Sequence, residues 1–164
     1  MPGPEAGVGA MPAPAYRVEP LDPSRPEDLG DLAALRTAWM LEQSPAGEDG
    51  FAQRLGAWWE AQQEARRAWV ARSAAGPVGT AGLQVFTRMP RPGRPDACWA
   101  YVANVWTAPA HRRRGVGRLL MGAVLDWCRA EGMVRVVLNP SEVSVPLYRS
   151  LGFEPAADLM RLDL

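Results

Sequence analysis

Lysine is absent from this sequence: all 18 basic residues are arginine. That excludes a Walker A phosphate loop, a kinase-type ATP lysine, a pyridoxal Schiff base and a lysine-dependent aldol site, since each needs the amine itself. Histidine occurs once, as His111, so a metal site built on two or three imidazoles is ruled out. Isoleucine is missing and asparagine occurs only as Asn104 and Asn139, beside abundant Ala, Arg, Gly and Pro. This is the signature of GC-rich coding, not of a function. The two cysteines, Cys98 and Cys128, form neither a Cys-x-x-Cys pair nor a disulfide framework and read as free, buried thiols.

Long hydrophobic runs are missing as well. No stretch reaches the ~18 apolar residues of a membrane span. The first arginine is residue 17, and no charged start leads into an apolar segment, so no secretory signal is visible. The expectation is a cytoplasmic protein with no membrane attachment. Neither charge sign is in excess, with 18 acidic against 18 basic residues, which argues against a dedicated nucleic-acid or anionic-membrane binder.

What is present fits one globular domain: 164 residues, 48% apolar and 22% charged. Residues 1–15 are Pro, Gly and Ala with a single charge and read as a flexible tail, within which Met11 is an alternative start. The single domain is expected over 16–164. A short strand is expected at 16–19. Pro26, Glu27 and Asp28 then open a helix whose apolar side carries Leu29, Leu32, Ala33, Leu35, Ala38 and Trp39. The run Ser44-Pro45-Ala46-Gly47 breaks it, and a second helix is expected over 49–66. Strands at 68–71 and 78–87 flank a turn at 74–77, as in a hairpin. A Pro/Arg-rich loop at 88–96 leads to the clearest strand, 98–107, ended by Pro109.

Val116, Leu119, Leu120, Ala123, Val124, Trp127 and Cys128 then recur with helical period, and Gly132 suits the end of that helix. A buried strand at 134–138, a short helix at 144–151 and a last strand over 159–164 complete the order β-α-α-β-β-β-α-β-α-β. The fold class is α/β, a mixed sheet flanked by helices, and the chain carries no internal repeat.

Residues 104–118, NVWTAPAHRRRGVGR, carry the chemistry. A strand ends, and an Arg-x-x-Gly-x-Gly turn made by Arg112, Gly115 and Gly117 opens the long helix. Orphan N–H groups and a partial positive charge sit at such a helix start, and two glycines let a bulky anion approach the backbone. Arg112, Arg113, Arg114 and Arg118 cluster there, and no acid occurs between Asp96 and Asp126. The dinucleotide pattern fails because Leu120 stands where its third glycine belongs.

This strand–turn–helix resembles the acyl-CoA pyrophosphate motif of the GNAT superfamily of N-acetyltransferases. Pro146-Leu147-Tyr148-Arg149-Ser150-Leu151-Gly152-Phe153 resembles that family's second signature, a Leu-Tyr followed by Gly-Phe. The resemblance covers 98–164 by motif and 16–97 by element order. It implies a GNAT-type mixed sheet and transfer of an acetyl group from acetyl-CoA, without a metal, to a primary amine on a small molecule or peptide N-terminus. By the same resemblance, the backbone of Val105, Trp106 and Thr107 pairs with the pantetheine arm. The turn from Arg112 through Arg113, Arg114, Gly115, Val116 and Gly117 to Arg118 holds the pyrophosphate. Tyr148 protonates the departing thiolate, and Ser141 replaces the asparagine that often contacts the pantetheine. Family members often dimerise, so a homodimer is one expectation.

The chemistry agrees with these roles. A phenol with an ordinary pKa of about 10 suits protonation of a thiolate of similar basicity. The general base is not named by the sequence. Many family members use a glutamate on the strand before the turn, and this strand has none; the alternatives are Glu142, Asp96, water and backbone carbonyls with Asn104 orienting the water, or direct binding of the neutral amine. His111 reads as a loop residue, because its arginine neighbours disfavour a further charge. Trp39, Trp58, Trp59 and Trp106 either line an acceptor pocket or form core. The alternative function is a non-catalytic acyl-CoA-binding domain of the same fold.

Overall fold

The computed structural model describes residues 15–44, 49–157, 159–160 and 162–163. Five strands form one sheet in chain order: β1 (Arg17–Pro20), β2 (Arg66–Ser73), β3 (Gly76–Thr87), β4 (Cys98–Thr107) and β5 (Val136–Leu138). The first four are antiparallel neighbours, and β5 pairs with β4 in parallel. Helices α1 (Pro26–Gln43) and α2 (Phe51–Gln62) precede β2. Helix α3 (Val116–Ala130) carries the crossover from β4 to β5, and the short α4 (Val145–Arg149) follows. Such a crossover is what a parallel pair requires.

The periodicity of α3 explains its burial. Val116, Leu120, Met121, Val124 and Cys128 pack on one face of the sheet against Trp69, Ala71, Val78, Ala81, Leu83, Ala100 and Val102. Leu119, assigned to the same stripe by spacing, lies at its edge and is 47% exposed. Because strand side chains alternate, Val70 points to the other face and packs with Leu35 of α1 and Trp106. The start of α1 is fixed by Asp28, which is buried. Its carboxylate accepts from the Asp22 N–H at 2.9 Å, Arg25 at 2.7 Å and Arg72 of β2 at 2.5 Å, while Arg72 also binds Asp31.

Strand β4 carries a bulge. Its register with β3 runs Thr80 to Trp106 and then Gly82 to Ala103, so Ala81 faces two residues, Asn104 and Val105. Asn104 takes the left-handed conformation, φ 57°. Gly82 packs closely there, since a Cβ would meet the Ala103 carbonyl oxygen at 3.1 Å, a tight contact.

Several expectations need correction. Helix α2 stops at Gln62, and β2 begins at Arg66 and runs to Ser73, where a helix to 66 and a strand over 68–71 were expected. Strand β5 has three residues, not five. The break after α1 begins at Ser44, but residues 45–48 lie outside the described residues, as does the tail over 1–14. The expected last strand is absent from the described residues of 159–163, where Leu159, Met160 and Leu162 are exposed; positions 161 and 164 of that segment lie outside the described residues. Alternation fixes which residues would share a face, but a strand also needs an edge to pair with.

Candidate active site

Strands β4 and β5 part company. β4 pairs with β5 only over Ala100–Val102, whereas it continues to Thr107 along β3. Beyond Leu138 the chain leaves through Asn139 and Pro140 into the 3-10 turn Glu142–Ser144 and then α4. The divergence opens a cleft of about 190 Å³. Ala103, Asn104 and Val105 line one wall, Leu138, Asn139, Ser141, Ser144 and Tyr148 the other, and Trp39 closes one end. The backbone edge of β4 past Val102 faces this gap.

Tyr148 is 8% exposed and packs edge-on against Phe153, ring centroids 5.8 Å apart. Burial pushes its phenol above the ordinary value, so it stays protonated throughout the neutral range. Ser141 shares the wall, its Oγ donating to Ser144 Oγ at 3.0 Å. Asn139, which the motif spacing put out of register, lines the same cleft. Its place was missed because register was counted along the chain, while the exit from β5 turns both 139 and 141 inward.

The glycine turn lies at the start of α3. Gly115 is its N-cap in the left-handed conformation, φ 85°, with no side-chain cap, and Arg113 also has positive φ, 61°. The first N–H groups of α3 are therefore uncapped by any side chain. A Cβ on Gly115 would meet nothing within 4 Å, so the backbone is open on that side.

Not all the arginines are at liberty. Arg112 Nε donates to the Thr107 carbonyl at 2.9 Å, and its Nη2 donates to the Glu42 carboxylate at 2.8 and 2.6 Å. Arg118 donates to Ser150 Oγ at 2.7 Å. Arg113 and Arg114 are exposed. The side chains of Val116 and Trp106 are buried in the core, so either residue could offer a ligand only its backbone.

A second cavity, of about 320 Å³, lies between α1, α2 and the sheet. It shares Trp39 and Asn104 with the cleft, so the two meet at the bulge. Trp58 and Trp59 line it with Trp39, but Trp106 does not. Neither Glu142 nor Asp96 lines either space; Asp96 stands before the opposite end of β4. His111 sits in the 3-10 turn Pro109–His111, its Nδ1 3.1 Å from the Tyr16 hydroxyl, away from both spaces. No group of three or more potential metal ligands occurs among the described residues, and no helix there is long and apolar enough to cross a membrane.

The chain is similar to known proteins. The chain is 34% identical over 87 residues to glucosamine 6-phosphate N-acetyltransferase of Trypanosoma brucei brucei, a match covering 53% of this chain and 57% of that protein. It is 33% identical over 84 residues to the N-alpha-acetyltransferase RimI of Mycobacterium tuberculosis, covering 51% and 49%. The matches thus span about half the length of these relatives. Among solved structures, a Trypanosoma brucei acetyltransferase superposes with a TM-score of 0.70 at 26% identity, over 91% of this chain and 99% of that one. Residues 32–153, which include the bulged strand, the glycine turn and Tyr148, match the acetyltransferase (GNAT) family, and the chain belongs to that family of acyltransferases.

Proposed function

We propose that this protein transfers an acetyl group from acetyl-CoA to a primary amine carried by a small molecule or a peptide N-terminus. One observation carries the reading: the buried phenol of Tyr148 and the unpaired edge of β4 face each other across one cleft, which meets a separate aromatic cavity at Asn104. Two reactants can thus approach one point from two sides.

Acetyl-CoA, when bound, supplies the activated acyl group. The residues present fit it. Val105 in the bulge lines the cleft and can offer its backbone to the extended arm, whereas Trp106 is paired with Thr80 on β3 and the Thr107 carbonyl accepts from Arg112. The N–H groups of Gly115, Val116, Gly117 and Arg118 at the uncapped start of α3 suit a pyrophosphate, with Arg113 and Arg114 adding charge. Ser141 is placed to bond the arm from the opposite wall.

Three things must happen during transfer. The amine must be neutral, the thioester carbonyl polarised, and the thiolate protonated. Tyr148 delivers the last proton. No carboxylate lines the cleft among the described residues, so the amine loses its proton to water held by Asn104 and Asn139. The deciding experiment pairs calorimetry with acetyl-CoA and thiol release across a panel of amines. Binding with release supports transfer. Binding with no release for any amine leaves the non-catalytic reading, and absence of binding overturns both.

A further inference from the structure

The cavity beside the cleft has an unusual charge balance. Four arginines line it, Arg36, Arg54, Arg66 and Arg67, and no Asp or Glu does so among the described residues. Elsewhere arginines meet carboxylates: Arg25 and Arg72 at Asp28, Arg112 at Glu42, Arg129 at Asp126. Arg67 is spent on carbonyls of the α2–β2 connection and the start of β2, donating to Gln63 O at 2.7 Å and Arg66 O at 2.6 Å. Arg36 and Arg66 differ. Arg36 lies over the Trp39 ring at 4.7 Å and, among the described residues, donates only to Asn104 Oδ1 at 3.1 Å. Arg66 lies over the Trp58 ring at 4.7 Å and donates to Gln84 Oε1 at 2.8 Å, while its Nε is shut off from solvent with no partner. Neither faces a carboxylate among the described residues. Burial lowers both guanidinium groups from their ordinary value, yet arginine remains charged at neutral pH.

A half-buried cation held by aromatic faces and neutral amides, without a counter-ion, lacks the partner that such charges normally have. A ligand can supply it. The position is suitable: Arg66 pairs across the sheet with Gln84, two residues beyond Gly82 at the bulge, roughly 7 Å along the strand. An acceptor spanning that length would have its amine at Asn104 and its far end at Arg66.

We infer that the acceptor is an anionic amine, with a carboxylate or phosphate held by Arg66 and an apolar or aromatic body lying between the tryptophans. This rests on the transfer reading above and narrows its substrate. A polycationic amine is disfavoured, because a second ammonium at the far end would lie beside the Arg66 guanidinium.

Four probes on one scaffold test it: benzylamine, 4-(aminomethyl)benzoate, 4-(aminomethyl)benzylphosphonate and p-xylylenediamine. Binding by calorimetry and thiol release from acetyl-CoA are measured for each. The anionic probes should bind at least about 10-fold more tightly than benzylamine, with p-xylylenediamine weakest, and the better of the two anions tells carboxylate from phosphate. Arg66→Gln should raise KM for the anionic probes by about 10- to 100-fold, the weight of a charge-assisted hydrogen bond, and raise that for benzylamine by less than about threefold. Acetyl-CoA affinity and the melting temperature of the variant serve as folding controls. Equal affinity for benzylamine and the anions would overturn the inference whether or not the variant folds. Anion preference in binding with no thiol release would overturn only the transfer reading.

Discussion

Gly117 in the first turn of α3 lies against Leu147 of α4: a Cβ built on the glycine would meet Leu147 Cδ2 at 3.2 Å. The helix start proposed to hold the pyrophosphate and the helix carrying Tyr148 thus touch through a missing side chain. Gly117→Ala should need only a small shift of a flexible methyl and should change acetyl-CoA affinity less than about threefold. Gly117→Asp adds bulk and negative charge at the cradle, and Gly115→Asp adds that charge on a left-handed backbone. Each should weaken acetyl-CoA binding by about 100-fold or more in calorimetry. Near-normal affinity in both Asp variants would place the site elsewhere.

Tyr148→Phe keeps the ring and its contact with Phe153 but removes the only proton the side chain can give. The rate constant should fall by about 10²–10⁴, with acetyl-CoA affinity and melting temperature nearly unchanged. The loss should shrink with an acyl donor whose thiolate leaves more easily. An unchanged rate constant, with chemistry shown to be limiting, would assign the proton to water.

Asp28 and Arg72 tie the first turn of α1 to β2 at 2.5 Å. Burial alone would raise the Asp28 pKa, but the Asp22 N–H and the two guanidinium groups outweigh it and hold the carboxyl below its ordinary value. A depressed folded pKa stabilises the protein above the unfolded value of about 4, and that contribution is lost as pH falls through the folded one. Acid melts should therefore steepen below about pH 4 in the native protein more than in Asp28→Asn. At neutral pH that variant should lose on the order of 2 kcal/mol, as when hydrogen bonds to a charged group are weakened, because Arg72 keeps its ion pair with Asp31.

Cys128 shapes the alkaline side. Its thiol is buried under α3, and burial pushes its pKa up to about 11 from 9.0. The unfolded chain releases this proton first, so stability is full below about pH 9 and falls as pH rises towards 11. The loss is on the order of 2 kcal/mol. Tyr148, also raised by burial, acts in the same direction above pH 10. Thermal melts from pH 8 to 11 should show a shallower decline for Cys128→Ala than for the native protein. Parallel curves would mean that the thiol ionises without regard to folding.

Much of this molecule was legible in the sequence because its signals are local. The stripe from Val116 to Cys128 repeats with helical period, so α3 and its buried face follow from turn geometry. The glycine turn and the Leu147-Tyr148 and Gly152-Phe153 pairs are contiguous strings, and their order named the family before any fold was known. Only tertiary structure decided what lies opposite these strings. The bulge at Asn104 exists because β4 pairs with β3 in a slipped register, and the cleft exists because β5 stops after three residues. The meeting of Arg36 with Asn104, 68 positions apart, has no local trace. Neither does the stacking of Arg66 on Trp58, because helix spacing makes a tryptophan face the sheet without saying which strand residue waits there. The last expected strand shows the same limit in reverse: alternation at 159–164 defines two faces, but pairing is a property of a neighbouring edge, and an edge is created only by the folded sheet.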